Sequence, residues 1–177
     1  MKLRLAGLQK NSVVDGPGLR TVVFSQGCPH NCPGCHNPQT LDPNGGQWAD
    51  VSELAATICV EKGMRGVTFS GGEPFLQARA LAALAVPLRE SGLHIMIYSG
   101  YTYEELRGMA ISDSAVAALL AAGDLLVDGR FVLAQRDLSL LYRGSHNQRI
   151  IDLPATIRTG AVVLSPLHHR GLGQQYA

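Results

Sequence analysis

The sequence predicts an α/β fold on a mostly parallel sheet. Short apolar runs alternate with stretches of helical periodicity, and no linker or internal repeat interrupts them. A length of 177 residues suits one core, so residues 1–177 are expected to form a single domain. Strands separated by helices demand crossovers, which are right-handed and carry the strand C-termini to one edge of the sheet.

The elements follow in order. Residues 19–24 read as a strand that feeds directly into a cysteine-rich loop. Asp50 and Glu53 are spaced as a capping pair, and Val51, Leu54, Ala55, Ile58 and Cys59 share one helical face behind them. Cys59 therefore reads as a buried apolar side chain rather than a ligand. Residues 66–70 form the next strand, ending in Gly71-Gly72, with Pro74 suited to a helix start. Leu81, Leu84, Ala85 and Leu88 mark a helix that Gly92 stops. Residues 94–98 are a strand broken by Ser99-Gly100, and Thr102 with Glu105 has capping-box spacing. Val116, Leu119 and Leu120 line a helix closed by Gly123, and residues 125–127 form a strand ending at Asp128-Gly129. The cysteine loop and the turns at 70–73, 98–100 and 128–129 all follow strands, so they are expected on one rim.

Composition narrows the function classes. Fifteen basic and fourteen acidic residues leave a net charge of +1, without the basic run that nucleic-acid binding favours. No apolar run is long enough to span a bilayer, and no apolar leader follows Met1-Lys2-Leu3-Arg4. Three cysteines in one loop suit a reducing compartment, so the expected location is cytoplasmic.

The chemistry sits in Cys28, Cys32 and Cys35, a C-x3-C-x2-C run. Three thiolates are one ligand short of the four that a cube of four irons takes, which leaves one iron open to another molecule. Zinc is the competing reading, with His30 or His36 as a fourth ligand, although the usual distant ligand pair is missing. A disulfide framework needs an even cysteine set in a small secreted chain.

Six segments together resemble the radical S-adenosylmethionine superfamily and, within it, the activating proteins of anaerobic (class III) ribonucleoside-triphosphate reductase. They are Asp15-Gly16-Pro17-Gly18, residues 27–35, Ser70-Gly71-Gly72-Glu73-Pro74, Ser99-Gly100-Tyr101, residues 127–131 and Arg143-Gly144-Ser145-His146-Asn147-Gln148. The resemblance implies that Cys28, Cys32 and Cys35 hold a [4Fe-4S] cluster. The amino and carboxylate groups of S-adenosyl-L-methionine would then chelate the fourth iron. Gly71, Gly72 and Glu73 would receive the methionine amino group through backbone carbonyls, the glycines leaving room for a close ligand. Glu73 itself is assigned a supporting role. Gly34, Cys35 and His36 would contact the cofactor, with His36 either a stacking surface where other members carry a bulky residue at the position of Gly34 or a plain loop histidine. His30 is expected outside the ligand set, facing solvent or supporting the loop.

The activity implied is reductive cleavage of S-adenosylmethionine to methionine and a 5′-deoxyadenosyl radical, driven by an electron from a flavodoxin or ferredoxin. That radical would take a hydrogen atom from a glycine of the reductase. No acid–base constellation is expected beyond the cluster and its cofactor. A complete eight-stranded barrel takes about 250 residues, so the implied fold is a small incomplete β/α barrel of the radical SAM type. Its open side would admit the partner. Asp128 is a candidate for ribose hydroxyls or for capping the turn at Gly129. Arg143, His146, Asn147, Gln148 and Arg149 form either a docking or cofactor-contacting surface or a solvated loop, and the tail from His168 is expected to fray. Three alternatives stand beside this reading. They are activation of another glycyl-radical enzyme of the pyruvate formate-lyase type, radical chemistry on a small molecule, and a non-catalytic zinc or cluster module.

Overall fold

The computed structural model describes residues 1–171 and 173. In chain order its main elements are β1 (Lys2–Ser12), β2 (Arg20–Ser25), β3 (Gln47–Asp50), α1 (Val51–Cys59), β4 (Gly66–Gly71), α2 (Ala78–Glu90) and β5 (His94–Tyr98). After these come α3 (Tyr103–Met109), α4 (Ser114–Ala122), β6 (Leu125–Asp128), β7 (Arg149–Asp152) and α5 (Leu153–Thr159). No helix among the described residues is long and apolar enough to cross a membrane.

The helix starts follow the side chains that cap them. Asp50 accepts from the amides of Ser52 and Glu53, and Thr102 with Glu105 forms a complete capping box. Such a cap stabilises its helix by about 1 kcal/mol. At the other end of α2, Gly92 takes a φ of +77°, a left-handed stop that glycine adopts without strain.

The strands form one sheet in the order β3-β1-β2-β4-β5-β6-β7. β2, β4, β5 and β6 are mutually parallel, whereas β1 runs antiparallel to β2 and β3, and β7 runs antiparallel to β6. The expected mostly parallel sheet therefore holds at the centre and fails at both margins. Antiparallel neighbours need no helical crossover, and residues 13–19 and 129–148 contain none.

Alternation along the central strands divides two cores. Val23, Val67, Phe69, Ile95, Ile97 and Leu126 face α1, α2 and α4, where Ile58, Leu81, Leu84, Leu88 and Leu119 meet them. Met96, Leu125, Val127 and Ile150 point to the opposite face and pack on Leu141 and Tyr142. Segment 129–148 thus covers the sheet face that lacks helices. The tail expected to fray is held as far as it is described. His168 Nδ1 accepts from the Ile150 amide at 3.2 Å, and its carbonyl accepts from Arg143 at 2.6 Å. Leu172 and residues 174–177 lie outside the described residues.

Arg20 is fully buried at the N-terminal end of that second face. Its guanidinium donates to Thr68 Oγ1 at 2.8 Å and to the carbonyls of Pro17, Val67 and His94 at 2.8, 2.7 and 3.0 Å. Burial lowers its pKa to about 10. Arginine has no acceptor, so His94 Nδ1, at 3.1 Å from Arg20, must accept. Burial and the Arg20 cation push the His94 pKa below the usual value.

Below about pH 6.5 the unfolded chain takes up a proton that folded His94 resists, so stability falls from there down to the folded pKa. Denaturation midpoints measured from pH 7 to 5 are expected to drop, and less steeply in His94→Gln. His168, also lowered by burial, contributes with the same sign in both proteins. An identical acid slope in the two would remove His94 from this account.

Candidate cluster and cofactor site

β2 delivers the chain into residues 26–41, a loop held by its own backbone. The Gly27 amide donates to Thr40 O at 2.8 Å and the Cys28 amide to Leu41 O at 3.2 Å. The Gln26 side chain ties down the carbonyls of Gln39 and Asp42. Within it Asn31 and Gly34 adopt φ values of 45° and 74°, which curl the chain so that Cys28, Cys32 and Cys35 face one cavity. All four cysteines are free and half-buried. Burial pushes the Cys28 thiol up, while hydrogen bonds from the His30 and Asn31 backbone pull the other way. Cys35 Sγ accepts from the Asn37 amide at 3.4 Å. Cys59 is remote, packing at the edge of the helical core with its Sγ 3.2 Å from Ser91 Oγ.

The glycine turn after β4 is stitched to this loop by main chain. The Gly72 amide donates to Ser25 O and the Glu73 amide to Gly27 O, both at 2.8 Å. The fold supplies its own reason for the glycines. A Cβ on Gly71, at φ +95°, would meet Ser25 O at 2.6 Å, and one on Gly72 would collide with the Gly27 carbonyl. β2 and the start of the cysteine loop are enough to exclude a side chain at either position.

The Glu73 side chain takes the supporting place expected of it. Its carboxylate is fully buried and absent from the cavity wall. It accepts from the Phe75 amide, Ser99 Oγ, the Gly100 amide and His30 Nε2, at 3.0, 3.0, 2.8 and 3.0 Å. Four donors match the four lone-pair sites of a carboxylate.

The cavity has a volume of about 630 Å³. Of the expected site residues, Cys28, Cys32, Cys35, His36, Gly71 and Gly72 line it. Gly34 does not. A Cβ there would press on Leu133 at 3.0 Å and Phe131 at 3.4 Å, so glycine lets the loop pass beneath them. Sequence reasoning left Phe131 without a role, yet its ring stands 5.0 Å from that of His36. Its position just after the β6 turn was the available signal. Tyr98 also reaches the cavity, donating to Tyr142 O at 2.8 Å, and burial holds its phenol neutral well above the usual range.

Asp128 does not line the cysteine cavity. It is buried, accepts from the Tyr103 amide at 2.7 Å, and pairs with Arg149, which also holds Glu104. Side-chain hydrogen bonds to Asp128 and Glu104 raise the Arg149 pKa. Asn147 and Arg149 line a separate cavity, and His146 pairs with Asp137. Arg143 lines the cysteine cavity. Among the described residues its buried Nε has no hydrogen-bond partner, and burial lowers its pKa.

Among the described residues no three His, Cys, Asp or Glu side chains converge as a single-ion site. The donor set instead offers three free thiols around one cavity, which suits a polynuclear cluster with an open position.

The sequence of residues 14–151 matches the family model for a 4Fe-4S single cluster domain. The anaerobic ribonucleoside-triphosphate reductase-activating protein of Vibrio cholerae is 36% identical over 146 residues, 78% of this chain and 90% of the relative. Its namesake from Escherichia coli is 33% identical over 152 residues, 80% of this chain and 93% of the relative. The pyruvate formate-lyase-activating enzyme of Clostridium pasteurianum is 40% identical over 106 residues, 56% of this chain and 44% of that enzyme. A looser structural likeness, TM-score 0.48 at 20% identity over 57% of this chain and 54% of the other, is to QueE from Escherichia coli. The free-thiol loop falls inside the matched segment and the relatives cover most of both lengths, so the chain belongs to the 4Fe-4S single cluster domain family, among the anaerobic ribonucleoside-triphosphate reductase-activating proteins.

Proposed function

We propose that this chain is a radical S-adenosylmethionine activase that generates a glycyl radical on anaerobic ribonucleoside-triphosphate reductase. The observation that carries the reading is the joining of the three free thiols of residues 28–35 to the Gly71-Gly72 turn at one cavity, in a chain of this family. Cys28, Cys32 and Cys35 would hold the cluster. The backbone at Gly71 and Gly72 would meet the amino-acid end of S-adenosylmethionine, and His36 beside Phe131 offers an aromatic wall for its base. When bound, cluster and cofactor supply one-electron cleavage of a sulfonium C–S bond and hydrogen-atom abstraction. The protein holds the thiols, orients the turn and walls off water with Tyr98, Phe131 and Tyr142.

The open sheet, whose margins β3 and β7 do not pair with each other, is read as an incomplete barrel within one domain of residues 1–177. A flavodoxin or ferredoxin in the cytoplasm would supply the electron. A second reading, activation of pyruvate formate-lyase, is favoured by the 40% identity over 106 residues to that activase.

Electron paramagnetic resonance separates them. The protein is reconstituted with iron and sulfide without oxygen, reduced, and mixed with S-adenosylmethionine and one candidate partner at a time. A glycyl-radical doublet is expected on the reductase. A doublet on the formate-lyase alone would transfer the assignment, and cleavage with a small-molecule product but no protein radical would overturn both.

A further inference from the structure

We propose that His30 is a positioning residue that fixes the cysteine loop against the Gly71-Gly72 turn through Glu73; this rests on reading those two segments as the cluster and cofactor site. His30 lies between the first two cysteines at the wall of their cavity, and its side chain is 5% exposed. Arg130 Nε approaches His30 Nδ1 at 3.2 Å. Arginine only donates, so Nδ1 accepts and the ring hydrogen sits on Nε2, where it is given to Glu73 Oε2 at 3.0 Å. The ring also meets Tyr101 edge-on, with centroids 4.4 Å apart. It lies so close over Gly100 that a Cβ there would come within 2.6 Å of Nε2. One imidazole from the loop after β2 therefore touches residues that follow β4, β5 and β6. Glu73 completes the tie, because the same carboxylate holds the Gly100 and Phe75 amides. The two backbone bonds at Gly72 and Glu73 fix only the base of the cysteine loop. Between Cys28 and Cys32 the loop reaches the rest of the rim through His30, and past Cys32 it meets Phe131 through Gly34 and His36.

The test uses the cluster-free and the reconstituted protein, with His30→Ala and with His30→Gln, whose amide can still donate toward Glu73. In the cluster-free wild type, nitrogen-15 NMR is expected to show His30 as the Nε2–H tautomer. Hydrogen exchange at residues 28–36 and Gly100 should rise at least tenfold in His30→Ala, with core amides unchanged, and return most of the way in His30→Gln. Reconstituted His30→Ala should bind wild-type iron, since all three thiols remain. Its KM for S-adenosylmethionine should rise about tenfold with a smaller change in kcat, and the cofactor-induced change in the cluster's paramagnetic signal should weaken. An Nδ1–H tautomer, exchange within twofold of wild type, or a His30→Gln no better than His30→Ala would overturn the proposal. A wild type with the Nε2–H ring and a protected loop that takes up no iron would instead refute the cluster reading and uphold the tie.

Discussion

Cys32→Ala is expected to leave the reconstituted protein without its iron–sulfur absorption and to reduce S-adenosylmethionine cleavage below detection. Two thiols cannot replace three. The fold should be indifferent. Cys32 is half-buried in a rim loop and belongs to neither apolar core, so the stability of the cluster-free protein should change by no more than about 0.5 kcal/mol. Cys59→Ala supplies the contrast. It removes a thiol packed beside α2, at a cost of about 1 kcal/mol, and should retain full absorption and cleavage. Absorption that survives in Cys32→Ala, or is lost in Cys59→Ala, would move the ligand set elsewhere.

The second large effect concerns Arg20, well removed from the thiols. Arg20→Met keeps much of the apolar stem and deletes the guanidinium, leaving buried carbonyls of Pro17, Val67 and His94 with one donor fewer each. Unsatisfied buried groups of this kind cost about 1–3 kcal/mol apiece, so urea denaturation should show a loss of about 3 kcal/mol or more. Arg20→Lys should recover only part, because one ammonium cannot span acceptors that the planar fork reaches from three nitrogens. The effect should extend to the site. Thr68 Oγ1, which accepts from Arg20, donates to Asp15 O at 2.7 Å, and Val14 and Asp15 line the cysteine cavity. A loss below 1 kcal/mol would mean that the pocket refills with water or relaxes.

The central sheet was legible in the sequence because its signals are local. The strands at 66–71 and 94–98 are apolar runs ending in glycine, and the helix after Thr102 begins with its own cap. The margins were not. β1 pairs with β2 through two register shifts, and five consecutive residues of it, Arg4 to Leu8, are neither buried nor exposed, so no clean alternation marks it. β7 is four residues long and emerges from a polar stretch that read as a loop. The site divides in the same way. Cysteine spacing and paired glycines are visible within ten residues, and they reach the cavity. The buried place of Glu73 depends on Gly100, 27 residues away, and the Arg130 contact to His30 spans 100 residues. Single-chain periodicity carries no trace of either.

The stitching of Gly71 and Gly72 to β2 also bears on how mutational scans of this protein should be interpreted. A library of all substitutions would find both positions intolerant, and proximity to the cavity would invite the conclusion that they are intolerant because of the cofactor. The collisions with Ser25 and Gly27 predict the same intolerance in protein that has never met iron. Sensitivity at these two positions therefore reports assembly of the scaffold, and only a screen that scores folding and cleavage separately can assign any part of it to chemistry.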